Sequence, residues 1–196
     1  MSIDRFILAS ASPRRSELLN QIGIVPEIMP SDIVETITSS IPSEVVKSLS
    51  RQKATDISSR LDCDPGIRIV VLGADTVVSI DGQILGKPQT HSEAGDMIRK
   101  LQGRDHQVYT GVTILVREGP QTVKSETFAI KTDVHVYPMS EQEILNYASS
   151  DEPMDKAGAY GIQGYFARYI RGIDGDYNNV VGLPVSEVYQ RLKYLI

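Results

Sequence analysis

Two arginines lie where a helix begins. In the segment Ser10-Ala-Ser-Pro-Arg-Arg15, Pro13 suits the first position of a helix and Ser12 suits its N-cap. The helix macrodipole is positive at this end, so Arg14 and Arg15 each cost about 0.3–1 kcal/mol there unless an anion is close. A phosphate chain would bind both guanidinium groups, the serine hydroxyls and the backbone N–H groups of this turn. The turn therefore indicates a phosphate site, and a solvated helix start is the alternative.

Asp75 is the second residue whose position indicates chemistry. It comes shortly after 67–72, an unbroken aliphatic run that predicts a strand covered on both faces. This strand is expected to end at 73–76, and ligands bind at the carboxyl ends of strands in open α/β sheets. A carboxylate there can coordinate a hard cation or accept a proton from an attacking water. An aspartate that merely caps a strand-to-turn junction is the alternative.

Two lysines and one polar loop are further candidates. Lys87 is expected in an extended segment from which its ammonium can enter a cleft, whereas Lys53 lies in a helix and can equally snorkel to solvent. The segment 151–163 contains Tyr160 and Gln163, and polar loops of this length inside a domain are usually functional or mobile. The Gln163 amide both donates and accepts, which suits it to a base edge. A structural Ω-loop is the alternative.

The elements that must position these residues alternate between strands and helices. Strands are predicted at 6–9, 24–29, 67–72, 77–80, 83–85, 106–116, 122–136 and 165–170. Helices are predicted from 13 to 22, 42 to 61, 92 to 101, 140 to 149 and 184 to 195. The sequence carries no repeat and no linker composition. Residues 1–196 are therefore predicted to form a single α/β domain with a mixed sheet and flanking helices, two-lobed with a central cleft.

Composition argues against several classes of protein. The formal net charge of −5 disfavours non-specific binding to nucleic acid or to anionic membranes, and no apolar run reaches the roughly 18 residues that span a bilayer. The start of the sequence lacks the pattern of a signal peptide. The single Cys63, beside two aspartates, predicts neither a disulfide nor a thiolate nucleophile and fits a cytoplasmic location. P-loop, zinc-site and Gly-x-Ser-x-Gly patterns are missing from the sequence.

Four longer motifs follow one another along the chain. They are Leu8-Ala-Ser-Ala-Ser-Pro-Arg-Arg15, Gly73-Ala-Asp-Thr-Val77 with Gly86-Lys-Pro88, Asp155-Lys-Ala-Gly-Ala-Tyr-Gly-Ile-Gln-Gly164 and Val180-Val-Gly-Leu-Pro184. In this order they resemble the Maf family of nucleoside triphosphate pyrophosphatases, over nearly the whole chain. The resemblance implies a cytoplasmic, frequently dimeric enzyme with a two-lobed fold similar to that of the ITPases. It also implies cleavage of the α–β phosphoanhydride, which releases a nucleoside monophosphate and pyrophosphate.

The resemblance implies roles for individual residues. Asp75 matches the family's proton acceptor. The residues that match the family's phosphate turn and other polar positions of its cleft are Ser10, Arg14, Arg15, Glu35, Lys53 and Lys87. We expect a divalent cation, Mg²⁺ or Mn²⁺, to bridge the phosphates and one or both of Asp75 and Glu35, while the arginines and lysines offset the triphosphate's charge.

Three positions separate branches of the family. The branch that acts on dTTP and UTP carries Arg, Thr and Gln, matched here by Arg14, Thr76 and Gln163, whereas the 7-methyl-GTP branch typically has Trp, Gln and Glu. All three residues favour dTTP and UTP. Phe166 departs from the family, which usually has glycine there, and its ring is expected to narrow or reshape the base pocket.

Two other functions fit the same residues. One is a nucleotide-sensing inhibitor of septum formation that binds without turnover. The other is a broader house-cleaning pyrophosphatase that acts on modified pyrimidine nucleotides. In each case the expected partners are a nucleoside triphosphate and, as the resemblance implies, a second copy of the chain, with no nucleic acid and no membrane.

Overall fold

The computed structural model describes residues 3–62 and 64–196, so the prediction about Cys63 lies outside the described residues. The helices and strands are β1 Arg5–Leu8, α1 Pro13–Gln21, β2 Glu27–Ile28, α2 Pro42–Arg60, β3 Arg68–Ile80, β4 Gln83–Leu85, α3 His91–Leu101, β5 Asp105–Glu118, β6 Gln121–Val136, α4 Glu141–Ala148, β7 Ile170–Asp174, α5 Tyr177–Val181 and α6 Val185–Leu195. Short 3₁₀ turns occupy Glu152–Asp155, Ala157–Ala159 and Tyr165–Tyr169. Among the described residues, no helix is long and apolar enough to cross a membrane.

In the part of the chain that the structure describes, seven strands form one mixed sheet. Six follow the order β2-β1-β3-β5-β6-β7, and β4 pairs with β3. Strand β1 runs parallel to β2 and β3, with Leu8 opposite both Ile28 and Leu72. Strands β4 and β7 run antiparallel to β3 and β6. The predicted α/β fold with a mixed sheet and flanking helices is confirmed.

The chain divides into two compact units. Unit 1 consists of Met1–Asp75, Thr110–Ile130 and Gly182–Ile196, and unit 2 consists of Thr76–Tyr109 and Lys131–Val181. Strands β3, β5 and β6 each contribute residues to both units, so the division falls within strands and not at a linker. A single domain over residues 1–196 stays a prediction.

Helix α2 lies directly on the sheet of unit 1. A Cβ at Gly73 would lie 2.3 Å from the Ser50 carbonyl oxygen, and one at Gly111 would lie 2.2 Å from that of Val46. Because side chains cannot fit at these distances, only glycine permits the helix backbone to approach this closely. Buried side chains of the same region form one apolar cluster: Ile7, Ala9, Ala54, Ile57, Leu61, Ile69, Val71 and Leu115.

Polar contacts fix the length and position of α2. At its C-terminal end the buried guanidinium of Arg117 donates to the carbonyl oxygens of Ser58 and of Leu61, the latter at 3.0 Å. These carbonyl groups have no intrahelical partner, and a cation there also suits the helix dipole. In the middle of the helix, the Ser50 hydroxyl lies 3.0 Å from that of Thr113 on β5.

Local sequence signals predicted several elements correctly. Ser140 and Glu143 form the expected capping box of α4. Asp81 and Gly82 have φ values of 51° and 75°, as the predicted tight turn between β3 and β4 requires.

Three predictions about strands are wrong. The strands predicted separately at 67–72 and 77–80 are one strand, β3, which does not end at 73–76, because the β-branched residues after Asp75 suit a strand. The strand predicted at 24–29 is reduced to Glu27–Ile28, since Pro26 lacks an N–H group for a ladder at this sheet edge. The strand predicted at 165–170 is a 3₁₀ turn, and β7 begins only at its end.

Candidate active site

Lys53 joins two carboxylates in unit 1. Its Nζ atom lies 2.6 Å from Asp75 Oδ1 and 2.9 Å from Glu35 Oε1. The side chains of Lys53 and Asp75 are only 16 % and 14 % exposed. Asp75 follows Gly73 by two residues, and Lys53 follows Ser50 by three, so the close contact between α2 and β3 brings this pair together. The ammonium therefore lies among carboxylates, and the alternative of a lysine that snorkels to solvent is wrong.

Asp75 lies in the interior of β3, not at its end. The parallel pairing with β1 stops at Leu72, whose carbonyl oxygen accepts a hydrogen bond from the Ala9 N–H at 2.8 Å. Asp75 follows three residues later in β3. Asp75 thus lies just beyond the carboxyl end of the parallel pair, which is where ligands meet open α/β sheets. Asp75 therefore lies at the expected edge of the parallel strands, but it lies inside β3 and not at the end of a strand.

Gln52 holds the segment that carries Glu35. Its side-chain oxygen accepts from the Thr36 N–H at 2.9 Å, and its Nε2 donates to the Thr36 carbonyl oxygen at 2.8 Å. Glu35 is itself 43 % exposed, so this pair of bonds on its neighbour helps to place it beside Lys53. Sequence reasoning missed Gln52, because no local pattern marks a side chain that binds the backbone 16 residues away.

The turn at the start of α1 contains a linked serine and arginine. The buried Ser10 hydroxyl accepts from Arg15 Nη1 at 2.8 Å and from the Ser12 N–H at 3.3 Å. Arg15 Nε also donates to the Gly182 carbonyl oxygen at 2.9 Å. Gly182 lies in a motif that the sequence identified, but its role in orienting Arg15 was not predicted.

Electrostatics connect this turn with the carboxylates. Burial lowers the pKa of Arg15 from its ordinary value, the negative charge of Asp75 raises it, and the nearby Arg14 lowers it again. Glu35 also raises it. Arg14 is partly buried in the first helical turn. Unit 1 therefore brings together all six of its predicted residues, which are Ser10, Arg14, Arg15, Glu35, Lys53 and Asp75.

The remaining predicted residues lie in unit 2. Lys87 is exposed two residues after the end of β4, and Thr76 is partly buried in β3. The Gly86 carbonyl oxygen beside Lys87 accepts from the Gly158 N–H at 2.9 Å. Gly158 has φ of +68°, and a Cβ there would lie 2.8 Å from a Val78 methyl group. This glycine turn thus holds the Lys87 segment to the loop that carries Gln163.

Tyr160 points into unit 2. It is 5 % exposed, and its hydroxyl lies 2.8 Å from Nε2 of the fully buried His106. Burial lowers the pKa of His106 to about 4, so the imidazole is neutral near pH 7, and burial also raises the pKa of Tyr160. Sequence reasoning gave His106 no role. A substrate contact for Tyr160 stays a prediction. Its hydroxyl already has His106 as a hydrogen-bond partner.

Gln163 and Phe166 differ in exposure, although they lie in the same loop. Gln163 is exposed, whereas Phe166 is 0 % exposed. The Phe166 ring packs against Tyr160, Tyr147 and Tyr169 with centroid distances of 4.8, 5.0 and 5.5 Å. The expectation that this ring reshapes a base pocket is therefore wrong, because the ring is part of an aromatic core.

A divalent cation fits the donors of unit 1. Within residues 3–62 and 64–196, no group of three His, Cys, Asp or Glu side chains is arranged to hold a metal ion. However, Asp75 and Glu35 offer two carboxylates that already converge on one cationic group, the ammonium of Lys53. Mg²⁺ commonly binds through one or two carboxylates and takes its other ligands from substrate phosphates and water. The donor set suits such an ion.

Comparison with known proteins places the chain in a family. The family described as Maf-like protein matches residues 5–195. The chain belongs to the Maf family. Its Maf relatives include a dTTP/UTP pyrophosphatase of Agathobacter rectalis, 49 % identical, which covers 98 % of each chain. The dTTP/UTP pyrophosphatase of Carboxydothermus hydrogenoformans is 45 % identical and covers 96 % of this chain and 97 % of its own.

Solved structures add only a distant likeness to this Maf chain. The Ham1 protein of Staphylococcus aureus is 11 % identical and aligns with 68 % of this chain and 72 % of its own, with a TM-score of 0.43. A TM-score this low shows a distant likeness and gives no information about the site.

Proposed function

We propose that this Maf protein hydrolyses dTTP and UTP to the nucleoside monophosphate and pyrophosphate. The observation that carries the proposal is the Lys53 ammonium bonded to both Asp75 and Glu35, in the same unit as the Ser10–Arg15 turn. Relatives 45–49 % identical over nearly the whole chain and named dTTP/UTP pyrophosphatase support the choice of substrate. The residues Arg14, Thr76 and Gln163 support the same choice.

Each candidate residue has a distinct role in this reaction. The guanidinium groups of Arg14 and Arg15 bind phosphate oxygens, and Ser10 with Gly182 orients Arg15. Asp75 accepts a proton from the water that attacks the α-phosphorus. Lys53 orients Asp75 and adds positive charge where negative charge grows on the leaving pyrophosphate. Lys87 adds a further cation for the phosphates.

The proposal includes a divalent cation, Mg²⁺ or Mn²⁺, held by one or both of Asp75 and Glu35. When bound, it supplies Lewis-acid polarisation of the phosphate oxygens. Asp75 cannot serve fully as metal ligand and as base at once, so Glu35 is the residue expected to take the larger share of metal binding. Removal of divalent ions with EDTA should abolish pyrophosphate release, and Mg²⁺ or Mn²⁺ should restore it.

The test is a metal-supplemented panel of dTTP, UTP, CTP, dATP, GTP and 7-methyl-GTP, assayed for pyrophosphate. Asp75→Asn keeps the shape and removes the charge, and it should lower kcat by at least about 100-fold, as loss of a general base does. Asp81→Asn, the same change at an exposed hairpin position, should have no effect. Full activity of Asp75→Asn would contradict the role of Asp75 as proton acceptor.

The same panel separates the other functions. Release from none of the nucleotides favours a nucleotide sensor. Preference for 7-methyl-GTP contradicts the argument from Arg14, Thr76 and Gln163. Faster turnover of modified pyrimidine nucleotides, added to the panel, favours a broader house-cleaning enzyme. We also propose a cytoplasmic homodimer, as the Maf resemblance implies, and light scattering after gel filtration tests its mass.

A further inference from the structure

The loop that carries Gln163 is anchored on both sides of this residue. Ile162 and Phe166 are 8 % and 0 % exposed, whereas Gln163, Gly164 and Tyr165 are exposed. Buried side chains therefore fix the loop to unit 2 and leave Gln163 directed outwards. Apolar contacts alone do not set the path of the backbone between these anchors, because they are not directional.

One carboxylate sets that path. Glu152 Oε2 accepts from the Tyr165 N–H at 2.8 Å, and its Oε1 lies 3.4 Å from the Phe166 nitrogen, which also donates to it. A Cβ at Gly164 would lie 2.4 Å from Oε1, and one at Gly161 would lie 3.6 Å from it. The loop thus wraps around the carboxylate, and Gln163 lies between the two glycines. Hydrogen bonds to a charged acceptor are stronger than neutral ones.

Glu152 is itself rigidly held. The Tyr147 hydroxyl donates to its Oε1 at 3.0 Å, and Tyr147 is 2 % exposed on α4. The Lys156 ammonium donates to the Glu152 carbonyl oxygen at 2.6 Å, so the main chain is fixed as well as the side chain. Burial first, and then the negative charge of Glu152, raise the pKa of Tyr147, so its hydroxyl stays a donor at neutral pH.

We propose that Glu152 is a positioning residue that sets nucleotide specificity through Gln163. The proposal rests on the proposed function, and it takes Gln163 as the residue whose amide binds the base of dTTP or UTP. The Glu152 carboxylate orders the loop backbone, so the Gln163 amide faces the base with a fixed direction. Gln163 then loses less conformational entropy when it forms paired hydrogen bonds with a pyrimidine. Loss of the carboxylate lets the amide adopt other orientations, and other bases are discriminated less well.

The test combines Glu152→Gln with Gln163→Ala in a double-mutant cycle. Glu152→Gln keeps the size of the side chain but places an NH₂ group against donors that need an acceptor. It should raise KM for dTTP by about tenfold with kcat changed less than about threefold, because substrate positioning is lost and Asp75 is intact. The ratio of kcat/KM for dTTP over dATP should fall by a similar factor. Tyr147→Phe keeps the ring, removes one bond to the carboxylate, and should show a smaller change in the same direction.

The cycle identifies what Glu152 acts through. In the Gln163→Ala background, adding Glu152→Gln should leave the dTTP over dATP ratio unchanged, and hydrogen exchange at the amides of Tyr165 and Phe166 should be faster in Glu152→Gln than in the wild type. Equal losses of discrimination in both backgrounds, or a lower melting temperature with KM and the ratio unchanged, overturn the proposal. If Glu152→Gln does not fold, Tyr147→Phe replaces it in the same cycle, and its effect on the dTTP over dATP ratio should likewise disappear in the Gln163→Ala background. A wild-type protein that neither releases pyrophosphate from dTTP nor binds it more tightly than dATP in calorimetry refutes the proposed function, and this inference with it.

Discussion

Replacing Gly73 with alanine tests whether the contact between α2 and β3 sets the geometry of Lys53 and Asp75. The new Cβ would lie 2.3 Å from the Ser50 carbonyl oxygen and 2.8 Å from the Ala54 nitrogen. Ordinary contacts of carbon atoms lie at about 3.5 Å, so α2 must retreat from the strand by about 1 Å. The distance from Lys53 Nζ to Asp75 Oδ1, 2.6 Å at present, then approaches about 3.6 Å, beyond hydrogen-bond range.

Both activity and stability should fall in the Gly73→Ala variant. A displacement of about 1 Å at catalytic groups costs about 100-fold in rate, so kcat/KM for dTTP should drop by about that factor. Overpacking costs about 1–3 kcal/mol, and each kcal/mol lowers the melting temperature of a chain of this length by about 2–4 °C. Steady-state pyrophosphate release and thermal melting by circular dichroism measure the two effects.

Gly172→Ala is the matched control. It places the same methyl group on a strand, with His135 as its nearest neighbour at 3.9 Å, an ordinary contact. Its kcat/KM should stay within about twofold of the wild type, and its stability within about 0.5 kcal/mol. If Gly73→Ala melts several degrees lower yet keeps the wild-type kcat/KM, α2 has moved without disturbing Lys53, and its contact with β3 does not set the geometry of the site.

Three further predictions concern stability. The pKa of His106 is about 4 in the folded protein and near 6.5 in the unfolded chain, so protons bind the unfolded chain first as the pH falls. The free energy of unfolding of the wild type, measured in urea, should therefore fall by about 2 kcal/mol between pH 7.5 and pH 5, and His106→Gln should lack this decline. Asp105 and Asp174 raise the pKa of His135 through hydrogen bonds, so its contribution is fully present below the unfolded pKa and is lost as pH rises through the folded one. Urea titrations from pH 6 to pH 9 should therefore show a smaller decline for His135→Gln than for the wild type. Arg117→Met leaves the last carbonyl groups of α2 without their donor and should cost about 1–3 kcal/mol in the same assay; a change near zero contradicts its role as a helix cap.

Elements with local signals could be predicted from the sequence. Pro13 at the start of α1, the Ser140 capping box and the Asp81 turn each depend on residues within a few positions of one another, so their types are sufficient. The charged candidates of unit 1 could also be named. Asp75, Arg14 and Arg15 lie in recognisable motifs, whereas Glu35 and Lys53 were matched only through the resemblance to the Maf family.

The supports of these residues could not be predicted in the same way. Gly182 orients Arg15 from 167 positions away, and Glu152 binds Tyr165 from 13 positions away. Such pairs depend on how the chain is brought together, and no local pattern shows which residue pairs with which. The prediction for Phe166 failed for a related reason. A departure from a family pattern identifies a residue type, but the direction of its side chain follows from its neighbours Tyr147, Tyr160 and Tyr169.

The composition of unit 1 from three separate chain segments affects protein synthesis. A ribosome-bound chain that ends before Gly182 contains every charged residue of the candidate active site but lacks the carbonyl group that orients Arg15. It also lacks α6. Completion of this unit must therefore await Gly182–Ile196, as contacts of high sequence separation require. Until Arg191 of α6 is available, Glu126 and Phe128 of β6 lack their contact with it, so a nascent chain at that stage should bind chaperones more readily than the folded protein does.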